Sequence, residues 1–202
     1  MDILNSKNIR SYHDNMFKII DNAVFTFFER SVSDEEWIKE TVDLFEKLFL
    51  NKRSISFIGN GASCSMASHF ASDFTKNGGI RSFSNNEGAL LTCFSNDFSF
   101  EDSYKEILAR YMRDYDCLIA ISSSGSSRNI LNAVEYVRLN FKNSKIVTLT
   151  GFSGDNPLKK IGDYNLYLDV ADYGLVESGH SYYIHLMLDF WIQYKNKKFK
   201  KG

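Results

Sequence analysis

Apolar positions in this chain follow two different periods. Met16, Ile19, Ile20, Val24, Phe27 and Phe28 recur at helical spacing, one stripe that predicts a leading helix. Ser33-Asp34-Glu35-Glu36 then offers a cap and an acidic first turn. Trp37, Ile38, Val42, Phe45, Leu48 and Phe49 form the buried side of a second helix. Beyond Arg53 the pattern shortens into β-rich apolar runs at 54–58, 117–122, 145–150 and 166–170, with a weaker one at 80–84. Helical patterns fill the intervals, at about 66–76, 87–94, 101–113 and 129–139, and a last helix runs from about 177 to 191. Asn77-Gly78-Gly79 ends the first of these with residues that tolerate positive φ.

Strands that alternate with helices, and that are apolar on both faces, predict an α/β protein with a parallel sheet covered on both sides. The 202 residues suit one domain, 1–202, with no long linker, repeat or low-complexity stretch. The two leading helices, within residues 1–50, carry more apolar stripe than one small sheet needs. They are expected to pack between subunits.

Composition narrows the partners. A net charge of −1 gives no electrostatic reason to expect nucleic acid or an anionic membrane. The basic cluster from Lys195 to Lys201 reads as a solvated tail. Cys64, Cys93 and Cys117 are far apart and odd in number, as expected of reduced thiols in the cytoplasm. Neither a signal-peptide core nor an apolar run of membrane-spanning length is present in the sequence.

The chemistry starts at the ends of strands. Ile121-Ser122-Ser123-Ser124-Gly125-Ser126-Ser127 follows a predicted strand and opens a helix. Free N–H groups at a helix start, with serine hydroxyls beside them, suit a phosphate ester. Gly59-Asn60-Gly61-Ala62-Ser63 is a second turn of the same kind, and Thr148-Leu149-Thr150-Gly151 ends a third strand. Ligands of open α/β sheets bind at these carboxyl ends. His69 and Asp73 lie four apart on one helix. Glu177 and His185 lie eight apart on another and share a face, with His180 somewhat around from it. Two imidazoles and two carboxylates suit either a divalent transition metal or a division of general acid and base roles.

With Ser68-His69-Phe70-Ala71 and Ser95-Asn96-Asp97-Phe98 added in order, the chain resembles the sugar isomerase (SIS) domain family, and within it the phosphoheptose isomerases. The resemblance implies a flavodoxin-like three-layer α/β/α sandwich. It also implies aldose–ketose isomerisation of sedoheptulose 7-phosphate to D-glycero-D-manno-heptose 7-phosphate, for bacterial surface glycans such as lipopolysaccharide or capsule. Ser122, Ser123, Ser124 and Ser127 would hold the phosphate. Asn60, Gly61, Ala62, Ser63, Asn96, Asp97 and Glu177 would contact the sugar. Asp73 would be the catalytic base and His185 the acid, and His69, Asp73, Glu177 and His185 would be zinc ligands. A cytoplasmic homotetramer with shared active sites is the assembly implied.

Two positions depart from the family pattern, which usually has Glu at position 73 and Gln at 177. Losing one methylene withdraws the Asp73 carboxylate by about 1.5 Å, a displacement that costs roughly a hundredfold in rate if uncompensated. Glu177 adds a negative charge that strengthens cation binding and repels Asp73. The alternative is a non-catalytic relative, either one that associates with the replication initiator or a sugar-phosphate sensor. Retention of His185 and of an acid at 73 argues against the first. The lack of a DNA-binding partner domain in this sequence argues against the second.

Overall fold

Strand residues with side chains on both faces need cover on both faces, and the chain supplies it. The structure, a computed structural model, describes residues 5–199. Among the described residues the strands are β1 (Val24–Phe27), β2 (Arg30–Val32), β3 (Ile55–Gly59), β4 (Ser82–Phe83), β5 (Cys117–Ser122), β6 (Lys145–Thr150) and β7 (Tyr164–Tyr167). They form one sheet in the order β2-β1-β7-β6-β5-β3-β4. Strands β4, β3, β5, β6 and β7 run parallel.

The helices are α1 (Ser6–Asp21), α2 (Asp34–Leu50), α3 (Ala62–Asp73), α4 (Gly88–Asp97), α5 (Ser103–Tyr111), α6 (Arg128–Asn140), α7 (Pro157–Ile161) and α8 (Tyr173–Phe199). Alternation along β5 shows how they divide. Cys117, Ile119 and Ile121 join Trp37, Phe45, Phe70, Ile184 and Trp191, from α2, α3 and α8, in one core. Leu118 and Ala120 join Tyr104, Ile130, Val134 and Leu158, from α5, α6 and α7, in the other. The three-layer α/β/α sandwich follows from that period of two.

One expectation is corrected. The leading stripe does not continue as a helix to Phe28: α1 stops at Asp21, and Val24–Phe27 becomes strand β1, antiparallel to both β2 and β7. The segment therefore contains a helix, a hairpin and a helix, and the sheet is mixed. The cause is tertiary. Without β1, the polar groups on the outer edge of β7 would be left unpaired. Asn165 on β7 also reaches across, donating from Nδ2 to Thr26 Oγ1 (3.1 Å) and to the Phe28 carbonyl (3.2 Å). Helix α2 forms as expected, with Ser33 Oγ accepting from the Glu36 N–H at 3.1 Å, and it packs along α8.

The basic cluster is also corrected. Helix α8 continues to Phe199, so Lys195–Lys198 belong to its last turns. Lys195 Nζ donates to the carbonyls of Asn77 (2.7 Å) and Gly78 (3.0 Å). Lys198 Nζ pairs with Glu46 Oε1 at 2.6 Å. Lys200 and Lys201 lie outside the described residues. No helix among the described residues is long and apolar enough to cross a membrane.

Candidate active site

The serine turn is built by β5 ending at Ser122 and α6 starting after Ser127. Gly125 sits at φ +62°, and a Cβ there would run into the Asn156 side chain. Its N–H donates to the Ser122 carbonyl at 3.0 Å, which closes the turn, and the Gly151 N–H donates to the Ser123 carbonyl at 2.9 Å, which anchors it to the end of β6. Ser127 occupies the N-cap of α6 without its side chain capping the helix. Its hydroxyl instead lies 3.5 Å from that of Ser122. Hydroxyls and free N–H groups thus face the same space, a ready seat for an anion.

The first turn mirrors it. Gly59 ends β3, and a Cβ there would stand 2.7 Å from the Ser63 backbone, so α3 can start this close to the strand only over a glycine. Gly61, at φ +56°, is the N-cap of α3 and brings no side-chain cap. The buried Tyr104 hydroxyl donates to the Gly59 carbonyl at 2.6 Å. Asn60 and Asn129 exchange two amide hydrogen bonds, each 2.9 Å, and clamp the two turns together.

Between the turns lies a cleft of about 230 Å³. Asn60, Gly61, Ala62 and Ser63 form one wall; Ser122, Ser123, Ser124 and Ser127 form the other; Tyr173 and Glu177 close it from α8. Sequence reasoning missed Tyr173 and Asn129. Tyr173 gave no periodic signal. Asn129 did give one: a polar residue at a position that the apolar phase of α6 buries, and it is 2% exposed.

The proton-transfer candidates form a neighbouring patch. His69 Nε2 is 3.3 Å from Asp73 Oδ2, and the His69 and His185 rings stand 5.6 Å apart between centroids. His185 packs edge-on against Phe70 at 4.7 Å. His69 and His185 are exposed in the single chain and Asp73 is half-buried. Helix α3 ends at Asp73 and the backbone widens into a π-turn over Phe74–Gly78, a feature frequent at functional sites.

His180 belongs to a different environment. It is wholly buried, its Nε2 lies 3.1 Å from the Thr150 carbonyl, and burial pushes its pKa down to about 4. It is therefore neutral at pH 7 and holds α8 against the end of β6.

The remaining candidates do not converge in one chain. Asn96 and Asp97 end α4, are exposed, bond to each other at 3.0 Å and do not line the cleft. His69, Asp73, Glu177 and His185 have the donor chemistry that zinc prefers. In this arrangement, however, no three His, Cys, Asp or Glu side chains among the described residues are placed to hold one ion.

Comparison with known proteins gives the chain a family. The profile of the SIS domain family matches residues 21–151. The phosphoheptose isomerase of Helicobacter pylori (strain ATCC 700392 / 26695) is 30% identical over 183 residues, covering 87% of this chain and 94% of that protein. That of Yersinia pestis (strain Pestoides F) is 28% identical over 187 residues, covering 88% and 94%. Two solved phosphoheptose isomerases share the fold. The Francisella tularensis structure has a TM-score of 0.79 at 23% identity, covering 94% of this chain and 100% of that one. The Neisseria gonorrhoeae structure has a TM-score of 0.77 at 21% identity, covering 92% and 98%. The chain belongs to the SIS domain family and, within it, to the phosphoheptose isomerases.

Proposed function

We propose that this protein is an aldose–ketose isomerase that interconverts sedoheptulose 7-phosphate and D-glycero-D-manno-heptose 7-phosphate. One observation carries the reading: two Ser/Gly turns form a cleft of about 230 Å³, and the helix that closes it with Glu177 also carries His185 to within 5.6 Å, ring to ring, of the His69 that pairs with Asp73. A phosphate held by Ser122, Ser124, Ser127 and the α6 N-terminus anchors one end of the open-chain sugar. The same contacts serve substrate and product, so they orient the sugar without favouring either.

The reaction needs a base that moves a proton between adjacent carbons and an acid that moves one between oxygens. Asp73 takes the proton from the carbon beside the carbonyl and returns it to its neighbour. His185 protonates the developing enediolate oxygen and removes the proton from the other. His69 holds the Asp73 carboxylate in place. A non-catalytic role is not favoured, because the chain's relatives are phosphoheptose isomerases and both proton-transfer groups are present.

Exposure of His69 and His185 leaves an enediolate open to water in a single chain. Helix α4 has no buried residue, and Phe98 and Phe100 after it are about half exposed. Both features support a homotetramer in which a neighbouring subunit covers the site and places Asn96 and Asp97. Free thiols at Cys64, Cys93 and Cys117 suit work in the cytoplasm. The test is turnover of sedoheptulose 7-phosphate by the purified protein, untreated, after chelation and with zinc restored. Product is the expected result, and its loss on chelation would give a metal the role assigned here to side chains. A folded protein that binds sugar phosphates and forms no product under any of the three conditions refutes the isomerase reading.

A further inference from the structure

We propose that the opposite edge of the sheet holds a second binding site, for a small phosphorylated metabolite. A cavity of about 420 Å³ opens there between the end of α2 and the amino ends of the parallel strands. Lys47 and Leu48 come from α2, Arg53 precedes β3, Tyr115 precedes β5, and Lys145 opens β6. Three cations line this cavity, and no carboxylate does.

The carboxylates at this edge are already occupied. Asp116 accepts from the N–H groups of Ser54 (2.8 Å) and Arg113 (2.9 Å). Asp163 accepts from the Ile146 N–H at 2.8 Å and pairs with Arg138 at 3.2 Å. Asp114 accepts from the backbone N–H of Asn143 at 2.9 Å and from its side-chain amide at 2.6 Å. Among the described residues Lys47, Arg53 and Lys145 have no carboxylate within ion-pair distance, although Arg53 is near enough to Asp114 to add to the hydrogen bonds from Asn143 that hold its carboxyl below the usual range. The Arg53 guanidinium lies 5.5 Å above the Tyr115 ring, and its buried Nε has no hydrogen-bond partner. A buried donor without an acceptor is costly, and a phosphate oxygen would satisfy it. Two ammonium groups and a guanidinium match the charge and fork geometry of a phosphate. Leu44, Leu48 and Tyr164 offer an apolar wall to the rest of the molecule.

The site is separate from the serine cleft. Strand β3 runs between the two edges over five residues, so at about 3.3 Å per residue they lie roughly 15 Å apart or more. A concave site of this size takes a small molecule rather than a polymer.

Calorimetric titration with inorganic pyrophosphate tests the proposal on the native protein. Three forms are compared: wild type, Ser124→Ala to weaken the serine cleft, and Lys47→Glu/Lys145→Glu to reverse charge at the new one. Both lysines are exposed, so the double variant should unfold thermally like wild type. The expected result is a pyrophosphate site that survives Ser124→Ala and weakens at least ~tenfold in the double variant and on raising the salt. Binding confined to one site per chain, abolished by Ser124→Ala and unchanged by the lysine substitutions, would overturn the proposal. If the double variant unfolds early, Lys145→Gln alone must still weaken the Ser124-independent site, and failure to do so overturns it equally.

Discussion

His180 makes the stability of the protein depend on pH in a window set by its burial. The imidazole is fully enclosed and its pKa falls from 6.5 to about 4. Above pH 6.5 it is mostly neutral in both the folded and the unfolded chain, and its contribution is complete. Between 6.5 and about 4 the unfolded chain binds a proton that the native one refuses, so stability falls as pH falls. Each unit in that window removes about 1.4 kcal/mol. At about pH 5 the loss is of the order of 2 kcal/mol, and across the whole window of the order of 3 kcal/mol. The matching variant is His180→Gln, whose amide can still donate to the Thr150 carbonyl but cannot bind a proton. Urea unfolding of both proteins, at one fixed concentration and at about pH 7.5 and about pH 5, isolates the term, because His69, His185 and every carboxylate are common to both. The wild type should lose about 2 kcal/mol more than the variant on acidification. Equal losses would show that the buried imidazole does not titrate as its environment dictates.

Other substitutions separate binding from chemistry. His185→Ala should abolish turnover by wild-type criteria, a fall of about a hundredfold or more, while sugar-phosphate binding measured by calorimetry stays within a few-fold. Gly125→Ala must adopt φ +62° and displace Asn156, so it should lower stability by about 1–2 kcal/mol and raise KM more than it lowers kcat. Asn129→Ala leaves the Asn60 amide without its two bonds; a loss of about 1–3 kcal/mol in urea unfolding and a raised KM are expected, and unchanged values in both would remove the clamp from the account.

The sandwich was legible in the sequence because its evidence is local. Strand β5 is apolar along nearly its whole length and β6 is buried from Ile146 to Thr150 behind β-branched and apolar residues, and the helices between strands carry stripes whose phase matches the faces they bury. The stretch from Val24 to Phe28 was not legible for the opposite reason. Its apolar residues satisfy helical spacing as well as strand alternation, and the choice is made by the open edge of β7, which lies more than a hundred residues away in sequence. The basic cluster failed similarly. The partners of Lys195 and Lys198 are carbonyls at Asn77 and Gly78 and the carboxylate of Glu46, all distant in the chain.

In the site, the same division separates turns from pairings. Glycine at 59, 61 and 125 answers to local backbone geometry, and the serines at 122, 124 and 127 lie within six residues of one another, so the two turns could be read directly as a candidate phosphate seat. The clamp between Asn60 and Asn129 spans 69 positions and carries no local signature. Histidine spacing is intermediate. On a helix that turns about 100° per residue, Glu177 and His185 stand roughly 80° apart, while His180 and His185 stand roughly 140° apart. One helix can therefore press His180 into the sheet, where it stays neutral, and hold His185 in the open beside His69. That separation lets α8 be a structural element and, in the proposed mechanism, a catalytic one at once: the buried histidine sets where the helix lies, and the exposed one would act from the position so fixed. Substitution at 180 should accordingly alter turnover only through the placement of Glu177 and His185, so His180→Gln should keep the pH dependence of kcat while losing the part of the pH dependence of stability that the buried imidazole contributes.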